Sequence, residues 1–408
     1  MINITDKSKC CGCTACSSIC THDAITMEPD SLGFLYPVVN TSKCVNCGLC
    51  DKVCAFKSEY DKSLNLSFPI AYAVRHKNMK EIETSRSGAA FIALSDVILD
   101  MGGAVYGAGF KDHFRVAHKK AITKTERDEF KGSKYVQSDL SGVFRQVKED
   151  LKNNLIVLFS GTPCQTSGLR SFIPSKFSDK LYLIDIVCHG VPSPYIWRDY
   201  IDYLEHKTGM TVTTVNFRDK SREGWSSHVE SFIYNNNNNN NTYSTYSYLF
   251  YQHISFRHSC SKCPFTNLKR PSDITIADYW GWERTDPEFN KDNKGCSLVL
   301  CNTHKGMEWF KKASIDLNIR NAEIKNIMQP HLSSPMESHP KRELFEKYYI
   351  HHGFEKTMNH FGMMGWRHVL KNQLKRIKYL IQHPEVITKK IAKYVRVRNW
   401  NCHISQSQ

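Results

Sequence analysis

Twelve of the chain's 16 cysteines fall into three sets whose spacing suits metal-bound thiolates. Two sets share the pattern Cys-x2-Cys-x2-Cys-x3-Cys: Cys10, Cys13, Cys16 and Cys20, then Cys44, Cys47, Cys50 and Cys54. Three thiolates at this spacing wrap three irons of a cube, and the fourth of each run crosses to a neighbouring cube. Cys10, Cys13, Cys16 and Cys54 are therefore expected to hold one [4Fe-4S] cluster. Cys44, Cys47, Cys50 and Cys20 are expected to hold a second. The small residues Gly12, Ala15 and Gly48 keep the loops tight, so that backbone N–H groups face the sulfurs. Structural zinc is the weaker reading, because zinc ribbons use paired Cys-x2-Cys knuckles. Cys11 is a spare thiol, read as a bystander.

The third set is dispersed: Cys164 in SGTPCQ, Cys188 in VCHGVPS, and Cys260 and Cys263 in RHSCSKCPF. Spacing leaves three readings open here, a further [4Fe-4S] cluster, zinc, or unliganded core cysteines. Cys296, Cys301 and Cys402 show no ligand spacing and read as buried or incidental.

The elements that must position these sulfurs follow from hydrophobic pattern. Ala24–Met27 and Phe34–Val39 read as short strands around a turn at Asp30–Gly33. The run with the bacterial-ferredoxin spacing ends near residue 57, and the polar stretch 58–68 reads as a linker. Beyond it, strands at Ala71–Val74, Ala104–Ala108, Val116–His118, Leu155–Phe159 and Leu181–Val187 alternate with helices over Gly88–Met101, Ser141–Lys152 and Gln165–Phe172. That alternation predicts an α/β core. Cys164 and Cys188 then follow the carboxyl ends of strands, where open α/β sheets place ligands. A further helix at Tyr195–His206 precedes strands at Thr211–Phe217 and Ser227–Tyr234. The polyasparagine tract Asn235–Asn241 reads as a flexible hairpin loop, and Ile274–Ala277 and Ser297–Leu300 read as later strands. The expected fold class is α+β. It comprises a bacterial-ferredoxin-like two-cluster domain (1–57), the linker (58–68), an α/β flavin-binding core (69–342) and a basic helical tail (343–408).

From Pro69 to Lys305 the chain resembles the beta-subunit family of coenzyme F420 (deazaflavin) hydrogenases and dehydrogenases, to which plant 7-hydroxymethyl chlorophyll a reductase also belongs. The resemblance rests on Ser87-Gly88 before a helix, Gly132-Ser133-Lys134-Tyr135, Gly161-Thr162-Pro163-Cys164-Gln165 and Cys188-His189-Gly190-Val191-Pro192-Ser193. It rests also on Cys260-x2-Cys263 followed by Asp273-Ile274-Thr275-Ile276-Ala277-Asp278. It implies a third [4Fe-4S] cluster on Cys164, Cys188, Cys260 and Cys263, and FAD lined by Ser87, Gly88, Lys134, Tyr135, Thr162 and Gln165. Small residues permit close approach to a pyrophosphate and a lysine supplies charge beside a reduced flavin. This chain has Ala89 where the family often has a second glycine.

The function expected is an FAD-dependent iron–sulfur oxidoreductase, with a ferredoxin or similar carrier on one side and an unknown small-molecule substrate on the other. His189 is a candidate proton donor, or a strand-end anchor. The rivals are an electron-transfer subunit serving a partner enzyme and a non-enzymatic redox sensor. No export signal or membrane span is legible, and a cysteine-rich chain of this kind reads as cytoplasmic. Lys plus Arg (55) exceeds Asp plus Glu (40), with a net charge of +15. The excess gathers in 366–400, whose apolar residues recur at helical spacing. No nucleic-acid motif accompanies it, so no nucleic-acid partner is expected; the tail reads either as a helix packed on the core with a solvated cationic face or as a landing surface for an acidic carrier or an anionic membrane, and of the last two peripheral membrane contact is favoured.

Overall fold

The computed structural model describes residues 1–362 except positions 58, 222, 236 and 244, then 364–366, 370, 374, 381 and 382. The basic tail, with Cys402, otherwise lies outside the described residues, and so does its expected membrane contact. The chain forms two compact units, 1–350 and 351–408. The helix Arg342–Phe361 is interrupted at Gly353 (φ 72°).

In the N-terminal module β1 (Ile25–Pro29) and β2 (Leu35–Val39) pair antiparallel, as the sequence predicts. Each cysteine loop turns into a short helix, Ala15–Ile19 or Leu49–Lys52, through a left-handed residue, Thr14 (φ 66°) and Gly48 (φ 74°).

The core is one eight-stranded sheet in the order β13-β3-β12-β11-β7-β6-β4-β5. Its strands are β3 (Asn65–His76), β4 (Ala104–Lys111), β5 (Arg115–Ala121), β6 (Val157–Gly161), β7 (Leu181–Ile186), β11 (Ile274–Asp278), β12 (Ser297–Thr303) and β13 (Leu317–Ala322). The central β4, β6, β7 and β11 run parallel and the flanking strands antiparallel. Helices Ala90–Asp100 and His304–Ala313 cover one face through Ala93, Leu94, Ile98, Trp309 and Phe310. Helices Val143–Lys152 and Pro163–Phe172 cover the other through Phe144, Val147, Leu169 and Phe172. Apolar burial of this kind contributes about 1.5–3 kcal/mol per large side chain.

That second core does not stop at the sheet. Cys11, Cys13, Ala15, Val53 and Ala55 of the cysteine-rich module belong to it, with Tyr60 from the stretch read as a linker. Tyr60 is buried and its hydroxyl donates to the Lys269 carbonyl at 3.1 Å. β3 already begins at Asn65, whose side-chain amide donates to the Arg270 carbonyl at 2.7 Å. The module is packed on the core rather than tethered to it.

A smaller sheet is made of β8 (Val212–Asn216), β9 (Glu230–Tyr234) and β10 (Asn237–Tyr243). Most of the polyasparagine tract, expected as a loop, lies instead in β10, which pairs with β9 through Asn237 and Asn241 on either side of an irregularity. Asparagine is a poor strand former, and an available edge overrides its propensity through ladder hydrogen bonds. Among the described residues no helix is long and apolar enough to cross a membrane.

Candidate functional site

β6 and β7 are adjacent and parallel, so the turns after them bring Cys164 and Cys188 together at one end of the sheet. The turn His258–Lys262 presents Cys260, with Cys263 just after it, and all four cysteines line a single pocket. Cys11 and Arg257 line it too. Burial pushes the Cys260 and Cys263 thiols up to about 12 and the Cys188 thiol well up. Cys164 is pulled down to about 7, chiefly by the Cys11 thiol and then by the Thr162 hydroxyl, 3.2 Å from its sulfur. Among the described residues, the one group of three or more His, Cys, Asp or Glu ligand atoms gathered within 4.8 Å is His113, Asp202 and Glu205, at the surface. Among the described residues no three of the cysteine sulfurs gather that closely.

Arg257 joins this pocket to the N-terminal module. The fully buried guanidinium donates to the Cys10 carbonyl (2.7 Å), the Leu35 carbonyl (2.9 Å) and Gln137 Oε1 (2.8 Å), and lies 3.6 Å from Cys10 Sγ. It stacks on the Tyr36 ring at 4.2 Å. Gln137 in turn donates to the Cys11 carbonyl at 2.8 Å. Gly12 (φ +70°) is required here, since a Cβ would come within 2.9 Å of Arg257 Nη1. Cys11, read from sequence as a bystander, is buried between Cys13 and the Cys164 turn, its sulfur 4.0 Å from the Cys164 carbonyl.

Behind the cysteine pocket opens a cavity of about 550 Å³. The two share the wall Thr162, Gln165, Cys188, His189, Gly190 and Val191. Of the residues expected to line a flavin, Ser87, Lys134, Tyr135, Thr162 and Gln165 reach this cavity. Gly88 does not; it packs against the sheet, where a Cβ would lie 2.3 Å from the Val74 carbonyl. The Ser87 hydroxyl is committed to the Cys296 carbonyl at 2.6 Å. Lys134 is held by the carbonyls of Glu129 and Lys131 (2.8 and 2.9 Å), and burial lowers its amine to about 7. Gln165 accepts from the Thr162 N–H at 2.9 Å.

His189 Nε2 is 2.6 Å from His253 Nε2, and its ring lies 4.1 Å from that of His331. Burial, followed by His331 and His253, lowers His189 to about 3, so at neutral pH His189 is uncharged and the contact between the two nitrogens holds a single proton. Neither His253 nor His331 was singled out in the sequence; both are lone histidines with no local pattern around them. Cys296 and Cys301 are buried in the core, as expected.

Ala89 adopts φ 63°, ψ 29° at the start of helix Ala90–Asp100. The left-handed conformation costs a residue with a Cβ roughly 1–2 kcal/mol. Ala89→Gly should therefore raise the thermal midpoint, gaining about 1 kcal/mol despite glycine's entropy in the unfolded chain. An unchanged or lowered midpoint would mean that the Cβ is held favourably.

The paired four-cysteine runs, docked on a mixed sheet whose own four cysteines line one pocket beside a large cavity, define an iron–sulfur redox protein. Residues 9–58 match the family described as 4Fe-4S dicluster domain. Residues 156–326 match the family described as the C terminus of the coenzyme F420 hydrogenase/dehydrogenase beta subunit. Among solved structures, a chain of the F420-reducing [NiFe] hydrogenase complex from Methanosarcina barkeri, in a xenon derivative, matches at 17% identity and a TM-score of 0.44. The match covers 72% of this chain and 92% of that one. No curated protein matches.

Proposed function

We propose that the protein is an oxidoreductase that passes electrons between an external carrier and a two-electron substrate through three [4Fe-4S] clusters and FAD. The wall common to the cysteine pocket and the large cavity carries this reading: Cys188 belongs to both, so a group in one lies against a group in the other. A zinc ion would draw four sulfurs about 2.3 Å from one centre. Among the described residues no three of these sulfurs gather within 4.8 Å, which suits a cube of four irons better. The cavity has the size and the converging polar groups that a flavin needs. When bound, the flavin would couple one-electron to two-electron exchange.

The chain's own residues hold these sites in register. Thr162 orients Cys164, Lys134 supplies a cation that burial makes readily neutralised, and the contact between His189 and His253 keeps one proton at the cavity wall. At the opposite end Cys47 is exposed between exposed Val45 and Leu49, a suitable landing for a ferredoxin-like carrier. The description of the family as a subunit favours a second reading, electron delivery to a partner enzyme with no substrate of this chain's own.

Anaerobically purified protein should contain about twelve irons per chain, one flavin and little zinc, by [4Fe-4S] stoichiometry. Cys263→Ser should lose about four irons and keep the N-terminal pair. Eight irons and one zinc in the parent protein would sink the third cluster. Dye reduction without turnover of any metabolite would favour the partner-enzyme reading.

A further inference from the structure

Arg86, Arg218, Asp278 and Trp280 also line the large cavity and meet one another there. Arg218 is spoken for: Nη1 donates to Asp278 Oδ2 at 2.8 Å, and its remaining nitrogens reach the Ser227 and Trp225 carbonyls. Trp225 Nε1 donates to the other oxygen of Asp278 at 3.0 Å. Arg86 is not. Its side chain is 10% exposed, and it makes one hydrogen bond, Nη2 to the Trp225 carbonyl at 2.6 Å. Nε stands 3.6 Å from Asp278 Oδ2, an ion pair too long to be a hydrogen bond, and among the described residues both Nε and Nη1 are buried without a hydrogen-bond partner.

One carboxylate thus faces two guanidiniums, and the excess is felt nearby. Burial and then Arg218 and Arg86 drive His228 down to about 3, and burial and then Arg86 lower Lys220 to about 8. Helix Ala90–Asp100 also begins on this cavity with no side-chain cap, its N–H groups adding positive potential. A buried guanidinium with two idle donors is strongly disfavoured unless an anion meets it.

We propose that Arg86, backed by Arg218 and the start of helix Ala90–Asp100, forms an anion subsite for a phosphate- or carboxylate-type group of a molecule bound in the cavity. The proposal rests on the reading of the cavity as the place of two-electron chemistry and adds the charge of what binds there. Two sources share this chemistry, the diphosphate of a flavin and an acidic group on the substrate.

The test uses full-length protein purified anaerobically, with inorganic pyrophosphate as the probe in calorimetric titrations before and after flavin is stripped. Wild-type protein should bind pyrophosphate, and Arg86→Gln should weaken binding by about tenfold or more, the loss typical of charge-assisted hydrogen bonds. Binding to the flavin-loaded form assigns the subsite to the substrate. Binding that appears only after stripping, with Arg86→Gln isolated flavin-free, assigns it to the cofactor. Should Arg86→Gln not fold, Arg86→Lys decides, because it keeps the charge without the fork: weakened binding supports the subsite and unchanged binding overturns it. No binding to either wild-type form, or equal binding by Arg86→Gln, also overturns it. Wild-type protein that never carries flavin would defeat the flavin reading alone and leave the pyrophosphate result to stand by itself.

Discussion

Arg257→Met should cost about 3–5 kcal/mol of stability and loosen the N-terminal module, because it strands buried acceptors rather than merely deleting a contact. The methionine would keep an apolar stem against Tyr36 but leave the Cys10 and Leu35 carbonyls and Gln137 Oε1 without their donor. Against a typical net stability of about 5–15 kcal/mol that is a large fraction. Arg145 supplies the control. It donates to the carbonyls of Ser17, Ser18 and Cys20 across the same junction, yet its side chain is half exposed. Arg145→Ala should cost about 1 kcal/mol or less. Urea midpoints and proteolytic nicking between residues 57 and 69 check both, and equal effects would refute the assignment of the junction to Arg257. A second consequence is electrostatic. Among the described residues no carboxylate pairs with Arg257, and the nearest anionic candidates are the thiolates of the cysteines around it. A cation in that position favours the reduced, more negative cluster. The midpoint potential of the cluster held by Cys10 should therefore fall in Arg257→Met and recover in Arg257→Lys; anaerobic titrations followed by electron paramagnetic resonance would show it.

What the sequence revealed, and what it hid, divides along the range of the interactions. The cysteine runs are legible because cluster ligation is local chemistry with a fixed spacing. The central strands are legible because Val157–Phe159 and Leu181–Ile184 are continuous apolar runs. Nothing local marks the stretch around Tyr60 as part of a core: it is polar by composition, and one aromatic residue among charges carries no period. Arg257 reads as one more basic residue before Cys260, although its partners at Cys10 and Leu35 lie more than two hundred residues away. Arg86 and Asp278, and His189 with His253, are likewise brought together only by tertiary packing. Ala89 is the converse case. The family pattern singled it out, and its left-handed backbone supplies the physical reason a glycine suits that position.

Gly168→Ala should destabilise the protein and remove about four irons, although helix propensity alone would have it stabilise by about 1 kcal/mol. Gly168 sits inside helix Pro163–Phe172, facing the cysteine-rich module, and a Cβ there would meet Cys13 Sγ at 2.6 Å and Cys13 Cβ at 3.0 Å. A free cysteine could turn away from such a contact. One tied to a cluster cannot, so either the helix or the cluster loop must move, and overpacking of this kind costs about 1–3 kcal/mol. The helix carries Cys164 in its first turn, so a shift of its backbone would disturb the second cysteine pocket as well. The two causes separate in a double-mutant cycle. In a Cys13→Ala background the sulfur is gone and only the milder contact with Cβ remains, so Gly168→Ala should cost much less stability; in the parent background it should lower both iron content and thermal midpoint. Gly168→Ala protein that keeps its full iron and melts higher than the parent would show that helix and cluster loop are not in contact, and with that the close docking of the two modules would fail.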